Sequence, residues 1–216
     1  MSSPRRLVLL IPAAVAVATL TGCAISDDGP RTTQTRDVAA FTRVENPDSV
    51  DVQLHVGGPQ RLEVRAGKKV IDDVHTEVRD GTLHLRFDHD SGFGGSDVVV
   101  EATVPELTGI EVSGSGDVDA DGIDADALEV RSDGSADIAL TGKVARLALS
   151  LDGSGDAHAS GLQAREADVA VGGSGSADVR ADQRLDAKVD GSGDVHYQGD
   201  PALTKHVDGS GDVTRD

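Results

Sequence analysis

The chain has 216 residues and a formal net charge of −18, with 38 acidic against 20 basic side chains. That balance excludes nucleic acid as a partner and excludes direct attraction to anionic lipid headgroups. Hydrophobic residues make up 38% of the chain but aromatic ones only 2%, with no Trp, so a wide interior filled by rings is excluded and a thin one lined by Val, Leu, Ile and Ala is predicted.

Residues 1–22 read as an export signal, to be set aside before any reasoning about the fold. Arg5 and Arg6 form a positive start, and "LVLLIPAAVAVATL" (7–20) is an apolar stretch of 14 residues. A spanning helix needs about 20. The stretch ends in "LTGC", which resembles the bacterial lipobox: Leu20, Thr21 and Gly22 precede the cut, and Cys23, the single cysteine of the chain, carries the lipid. Two or three acyl chains on Cys23 would anchor stably where one would not. No cysteine then remains for a disulfide, so packing, backbone hydrogen bonds or bound ions must stabilise the rest. The Arg5-Arg6 pair leaves twin-arginine export open beside the general route. Residues 23–37 are predicted to be the lipidated Cys and a flexible polar tether, "AISDDGPRTTQTRD".

From 38 to 109 the apolar residues alternate, predicting a strand-rich lead-in. Val50, Val52, Leu54 and Val56 share one face, and Leu62, Val64 and Ala66 follow a Gly-Gly-Pro turn. In "VHTEVRDGTLHLRF", Asp80-Gly81 is a two-residue hairpin loop. It pairs Val78 with Leu83, Thr76 with Leu85 and Val74 with Phe87 on one side, and Glu77 with His84 and His75 with Arg86 on the other. The glycine-rich, acidic stretch "DHDSGFGGSD" (88–97) is predicted to be a surface loop.

From 110 to 216 one phrase recurs: "SGSGDV", "DGSADI", "DGSGDA", "GGSGSADV" with two extra residues, and "DGSGDV" twice. Its first Gly falls at 114, 134, 153, 173, 191 and 209, so the period is 18–20 residues. Periods of that size belong to stacked units. Before each turn stand alternating apolar residues, and after it comes apolar-x-apolar-x-Gly. A strand, a tight corner, a second strand and a further corner make one coil of a β-solenoid, and no coil can bury its apolar side alone. Gly is predicted at the corner for positive φ and for close approach of neighbouring coils, and Asp for bonding the corner's own amides. Two departures stand out. Ser132 occupies an apolar phase, and alternation turns Lys205 inward, which predicts a bulge or a looser final coil because an unpaired buried Lys is costly.

The turns carry two columns of acids: Asp133, Asp152, Asp190 and Asp208 before the corner, and Asp117, Asp137, Asp156, Asp178, Asp194 and Asp212 after it. Stacked about 4.8 Å apart, neighbours would repel by about 0.9 kcal/mol in bulk water and about 3.5 kcal/mol at an effective dielectric of about 20. Solvated, self-bonded corners tolerate the former; the latter would call for a cation. Calcium is the cofactor the second column admits, with those six Asp as its ligands, and a solvated column with no cofactor is the preferred reading. His158 and His196 share a position two coils apart with Arg180 between them, a poor metal site.

"FTRVENPDSVDVQLHVG", "VRDGTLHLRF" and "VPELTGIEVSGSGDVDADG" follow, in order, the lead-in, hairpin and first Gly-rich coil of the bacterial head GIN domain, the head of autotransporter adhesins, which the chain resembles over 38–216. The resemblance implies a parallel β-helix attached to the cell surface and implies no catalytic residues. The fold class expected is therefore all-β, a β-solenoid behind a hairpin-containing lead-in. The function expected is a non-enzymatic, lipid-anchored, extracytoplasmic interaction or structural module with a protein or glycan partner. A calcium-dependent binding module and an envelope-stress accessory are the alternatives.

Overall fold

The computed structural model describes residues 28–88 and 98–216. In chain order the strands are β1 Arg31–Thr35, β2 Arg43–Asn46, β3 Asp51–Val56, β4 Arg61–Gly67, β5 Val74–Arg79, β6 Thr82–Phe87, β7 Val99–Val104 and β8 Gly109–Val112. The coils follow as β9 Val118–Ser132, β10 Ile138–Leu151, β11 Ala157–Val171, β12 Ala177–Val189, β13 Val195–Gln198, β14 Ala202–Val207 and β15 Val213–Arg215. A short 3-10 turn at Ile71–Asp73 precedes β5, and no α-helix occurs among the described residues.

Each long strand turns a corner within its own length. The start of β9, from Val118, pairs with β3, whereas its end, to Ser132, pairs with β8. Every coil thus supplies one run to each of two faces. The first face is β1-β4-β7-β3, the first runs of β9 to β12, then β13 and β15. The second is β5-β6-β2-β8, the second runs of β9 to β12, then β14. The chain is an all-β solenoid of about five turns, and its lead-in strands β2, β3, β7 and β8 already lie in the parallel stack.

Parallel register turns the alternating pattern into apolar columns. Val52, Val118, Ile138, Ala157, Ala177, Val195 and Val213 stack on the first face. Val44, Ile110, Val130, Leu149, Val169 and Ala187 stack on the second. All are buried and belong to one continuous core. Because each column is shared by successive coils, a buried side chain contributing about 1.5–3 kcal/mol stabilises its neighbours as well as itself. Of the aromatics, Phe41 and Phe87 pack in the lead-in, and Tyr197 is partly buried against the coils.

The Asp80-Gly81 hairpin has the expected pairs, Val78 to Leu83, Thr76 to Leu85 and Val74 to Phe87. Both loop residues take positive φ, 50° and 75°. Elsewhere the structure departs from expectation. β3 and β4 are not neighbours, because β7 lies between them, parallel to β3 and antiparallel to β4. Residues 31–35 of the expected tether form β1, antiparallel to β4, since an alternating Thr-rich run suits a sheet edge. The fourth corner has no extra residues: Ala177 pairs with Ala157 and Asp178 with His158, so "GGSGSA" overlies "DGSGDA". Ser132 is buried in the column between Val112 and Leu151, and its hydroxyl has no partner. Of the bulge or looser final coil expected near Lys205, the bulge is absent, because β14 keeps unbroken register with β12; β14 is the last described strand of its face, and all six of its residues are exposed.

Val171 stacks between Leu151 and Val189 with no exposure. Val171→Asp is expected to cost about 3–5 kcal/mol, the cost of an uncompensated buried charge. Amide exchange should show protection lost in β10 and β12 as well as in β11. Loss confined to β11 would contradict the shared-column account.

Candidate functional site

The recurring corner is a spine that runs the length of the stack. A Cβ on Gly134 would overlap the carbonyl oxygen of Gly114, one on Gly153 that of Gly134, and so on through Gly173, Gly191 and Gly209. Gly114 stands in the same way over the Asp48 carbonyl, so "NPDSVD" in the lead-in is the first corner of the series. Close approach, more than backbone freedom, is what demands glycine here. Positive φ marks mainly the second corner, at Gly122 (70°), Gly142 (133°) and Gly199 (104°), and on the spine only Gly209 (158°) has it. Between the glycines, the Ser135, Ser154, Ser174, Ser192 and Ser210 amides each donate to the first-Gly carbonyl of the coil before.

The Asp that follows each corner bonds across coils, not within its own turn. Asp51 Oδ1 accepts the Asp117 amide at 3.1 Å, Asp117 that of Asp137 at 3.0 Å, and Asp137 that of Asp156 at 2.9 Å. Asp156 accepts the Ser176 amide at 2.7 Å, and Asp194 that of Asp212 at 2.8 Å. Asp212, the last rung, turns back to its own neighbour, the Val213 amide, at 2.7 Å. Five of the six Asp singled out in the sequence, Asp117, Asp137, Asp156, Asp194 and Asp212, thus share one column. Asp178 does not, because the fourth coil places Ser176 in that slot. There the rung weakens, with the Asp194 amide 3.4 Å from Ser176 Oγ. Asp51 heads the column and was missed, since its corner has Val50 where the repeat has glycine. Cys23, Leu20, Thr21 and Gly22 lie outside the described residues, as does all but Asp88 of the 88–97 loop.

These rungs give one oxygen of each carboxylate a fixed donor without any ion. Among the described residues no group of three or more His, Cys, Asp or Glu is arranged to hold a metal. His84 stands opposite Glu77 and His75 opposite Arg86 in the hairpin register, as expected, but the side-chain pairs run elsewhere. His84 meets Glu45 of the adjacent parallel strand at 2.8 Å, while Glu77 bonds Arg79 on its own strand. His158 donates from Nδ1 to Asp178 Oδ2 at 3.0 Å, and Asp178, not Arg180, stands between it and His196.

On the second face the outward side chains beside the spine form an open groove of about 360 Å³. Ala148, Ser150 and Ala170 make a low floor, bounded by Glu129 and Arg131 on one side and by Asp186 and Lys188 on the other. Arg43 and Arg131 hold Glu129 at 3.1 and 2.6 Å, and Arg184 holds Asp168 at 2.9 Å. The walls therefore carry both signs of charge, paired with one another, over a flat floor of small residues.

Asp156→Ala is expected to lose about 1–2 kcal/mol in urea unfolding, because it leaves an amide without its charge-assisted acceptor. Asp156→Asn keeps an acceptor and relieves repulsion, so it should stay within about 0.5 kcal/mol of the parent. An equal loss in both variants would show that charge, not the rung, matters. The His158 hydrogen bond to Asp178 raises its pKa above the ordinary histidine value; desolvation opposes the rise, and the charges of Asp178, Asp137 and Asp156 add to it. Its contribution is then full below about pH 6.5 and is lost as pH rises through the folded-state pKa. With the two side chains 55% and 38% exposed, the effect should stay below about 1 kcal/mol. His158→Gln should therefore be less stable than the parent near pH 6 and match it near about pH 8.5; an equal deficit at both would rule out the pair as a titrating contributor.

The family described as "Putative auto-transporter adhesin, head GIN domain" matches residues 40–201. A crystal structure described as a putative adhesin from Bacteroides fragilis NCTC 9343 is similar at TM-score 0.73 and 22% identity, covering 87% of this chain and 97% of that one. One described as a putative lipid binding protein from Parabacteroides distasonis ATCC 8503 is similar at TM-score 0.58 and 23% identity, with the same coverage of 87% and 97%. A third, described as a putative adhesin from Parabacteroides merdae ATCC 43184, has TM-score 0.58 and 17% identity over 87% and 97% of the two chains. No curated protein matches the chain. At these identities the structures establish a shared fold; with the family match spanning most of the sequence, the chain belongs to the head GIN domain family.

Proposed function

We propose that this chain is exported, anchored by lipid on Cys23, and displayed on the cell envelope as a non-enzymatic interaction module of the adhesin type. The observation that carries this reading is the placement of the fold relative to the signal. β1 begins at Arg31, shortly after "LTGC", and lies at the N-terminal end of the first face. A lipid on Cys23 would hold that end of the stack at the membrane and leave the later coils pointing outward. The family's adhesin description and the two-signed groove on the second face support a polar partner, a protein or a glycan. Lipid in this reading is the anchor and not a cargo. The described interior is filled by its own side chains, such as Leu54, Leu140 and Leu185, each with no exposure.

Cys23→Ala tests the anchor. The parent should partition into the detergent phase and the variant into the aqueous phase, since the acidic remainder has little to hold it at a membrane. Equal retention of the two forms would overturn the anchored reading.

A further inference from the structure

Stacked folds need terminal coils that refuse further stacking. At the N-terminal end β1 is polar throughout, "RTTQT", and in β5 the inward Val74 and Val78 are buried or partly buried against the core while His75, Glu77 and Arg79 face out. The C-terminal end is different. Among the described residues β14 pairs only with β12, and its inward positions follow from register: Leu203 continues Leu185, Lys205 continues Ala187, and Val207 continues Val189. Leu203 and Val207, 38% and 37% exposed, are the exposed large hydrophobic residues of the described chain. Between them the apolar column is interrupted by a cation. Lys205 Nζ crosses the open end to the Val213 carbonyl at 3.3 Å and lies 3.7 Å from Asp212 Oδ1. The first face ends in the same way: Arg215 follows Tyr197 in register and pairs with Asp200 at 3.1 Å.

We propose that this end is a self-association surface held shut by Lys205, and that the occupant it refuses is a second copy of this chain docking β14 against β14. Antiparallel strands place directly opposite residues on the same side, at Cβ separations of about 4.5–5.5 Å. The register that buries the exposed apolar residues sets Leu203 against Val207 of the second copy, in both directions across a two-fold axis. That same register sets Lys205 against its own copy. Shifts of two residues set Lys205 against Leu203 or Val207 of the second copy instead. Each of these registers, which keep the apolar sides of the two copies together, thus either opposes like charges or buries an ammonium beside an apolar side chain, and both are unfavourable. Shifts of one residue set Leu203 opposite His206 and Val207 opposite Ala202, or Val207 opposite Thr204, and bury no pair of large apolar side chains. An inward-pointing charge on an otherwise apolar edge is a means by which sheets avoid pairing with each other. Pro201, just before β14, removes one more donor from the approach.

The test is the mass in solution of residues 24–216, without the signal stretch and the lipid-bearing Cys23, across a hundredfold range of concentration, with amide exchange to locate any contact. The parent and Lys205→Glu should remain monomeric throughout. Lys205→Val should dimerise with at least tenfold higher affinity than the parent, and the amides of residues 202–207 should gain protection as the dimer forms. Adding Leu203→Asp should return the protein to a monomer. Lys205→Thr removes the charge while keeping a strand-favouring, soluble side chain, so it gives the same answer if the Val variant fails to fold. Monomeric behaviour of both neutral variants would overturn the proposal. So would association that leaves 202–207 unprotected, or a parent that already dimerises through β14.

Discussion

The fold depends on one steric constraint: at each acidic corner the backbone of one coil lies on the carbonyl oxygen of the coil before, with no room for a Cβ. Removing every side chain from that contact lets Ser135, Ser154, Ser174, Ser192 and Ser210 donate their amides straight to the preceding glycine carbonyls. The corner thereby fixes register. The run entering it and the run leaving it are both counted from this line, so side chains such as Val118, Ile138 and Ala157 on one face, and Val130, Leu149 and Val169 on the other, come into column. Burial supplies most of the stabilisation, but the corner decides which residues are buried.

The same line gives the chain's acidity a part in the fold. A carboxylate beside a stacked corner can accept an amide from the next coil, and a charged acceptor makes that bond stronger than a neutral one. The cost is a row of like charges about 4.8 Å apart, tolerable because the row faces solvent, where neighbours repel by only about 0.9 kcal/mol. Ser176 interrupts the row where its rung is longest, at 3.4 Å. The break divides the line into an N-terminal series headed by Asp51 and a short C-terminal one of Asp194 and Asp212.

Features that rest on local chemistry were legible in the sequence. Asp80-Gly81 dictates its own hairpin, and a repeat of 18–20 residues with glycine at fixed phase dictates stacked coils. Features set by non-local competition were not. Whether β4 pairs with β3 or with β7 depends on a strand beginning at Val99, which no local pattern in β3 or β4 announces. His84 chose Glu45 over Glu77 because the parallel neighbour β2 reaches it from the other side. Asp178 was misphased because "GSGSAD" can be aligned on its final Asp or on its glycines. The steric demand of the corner settles the matter for the glycines, which places Ser176 in the column.

All register shifts between β9, β10, β11 and β12 lie at or near the second corner: beside Leu140 and Gly142, beside Ala139 and Thr141, and between Ala159 and Glu166. The glycine line admits none. Because one face is counted forward from that line and the other backward into it, residues inserted at the opposite bend displace nothing in either face. Lineages of this protein can therefore lengthen, shorten or exchange that bend while the core and the outward columns keep their places. The bend is where length and sequence can change without the scaffold having to be found again.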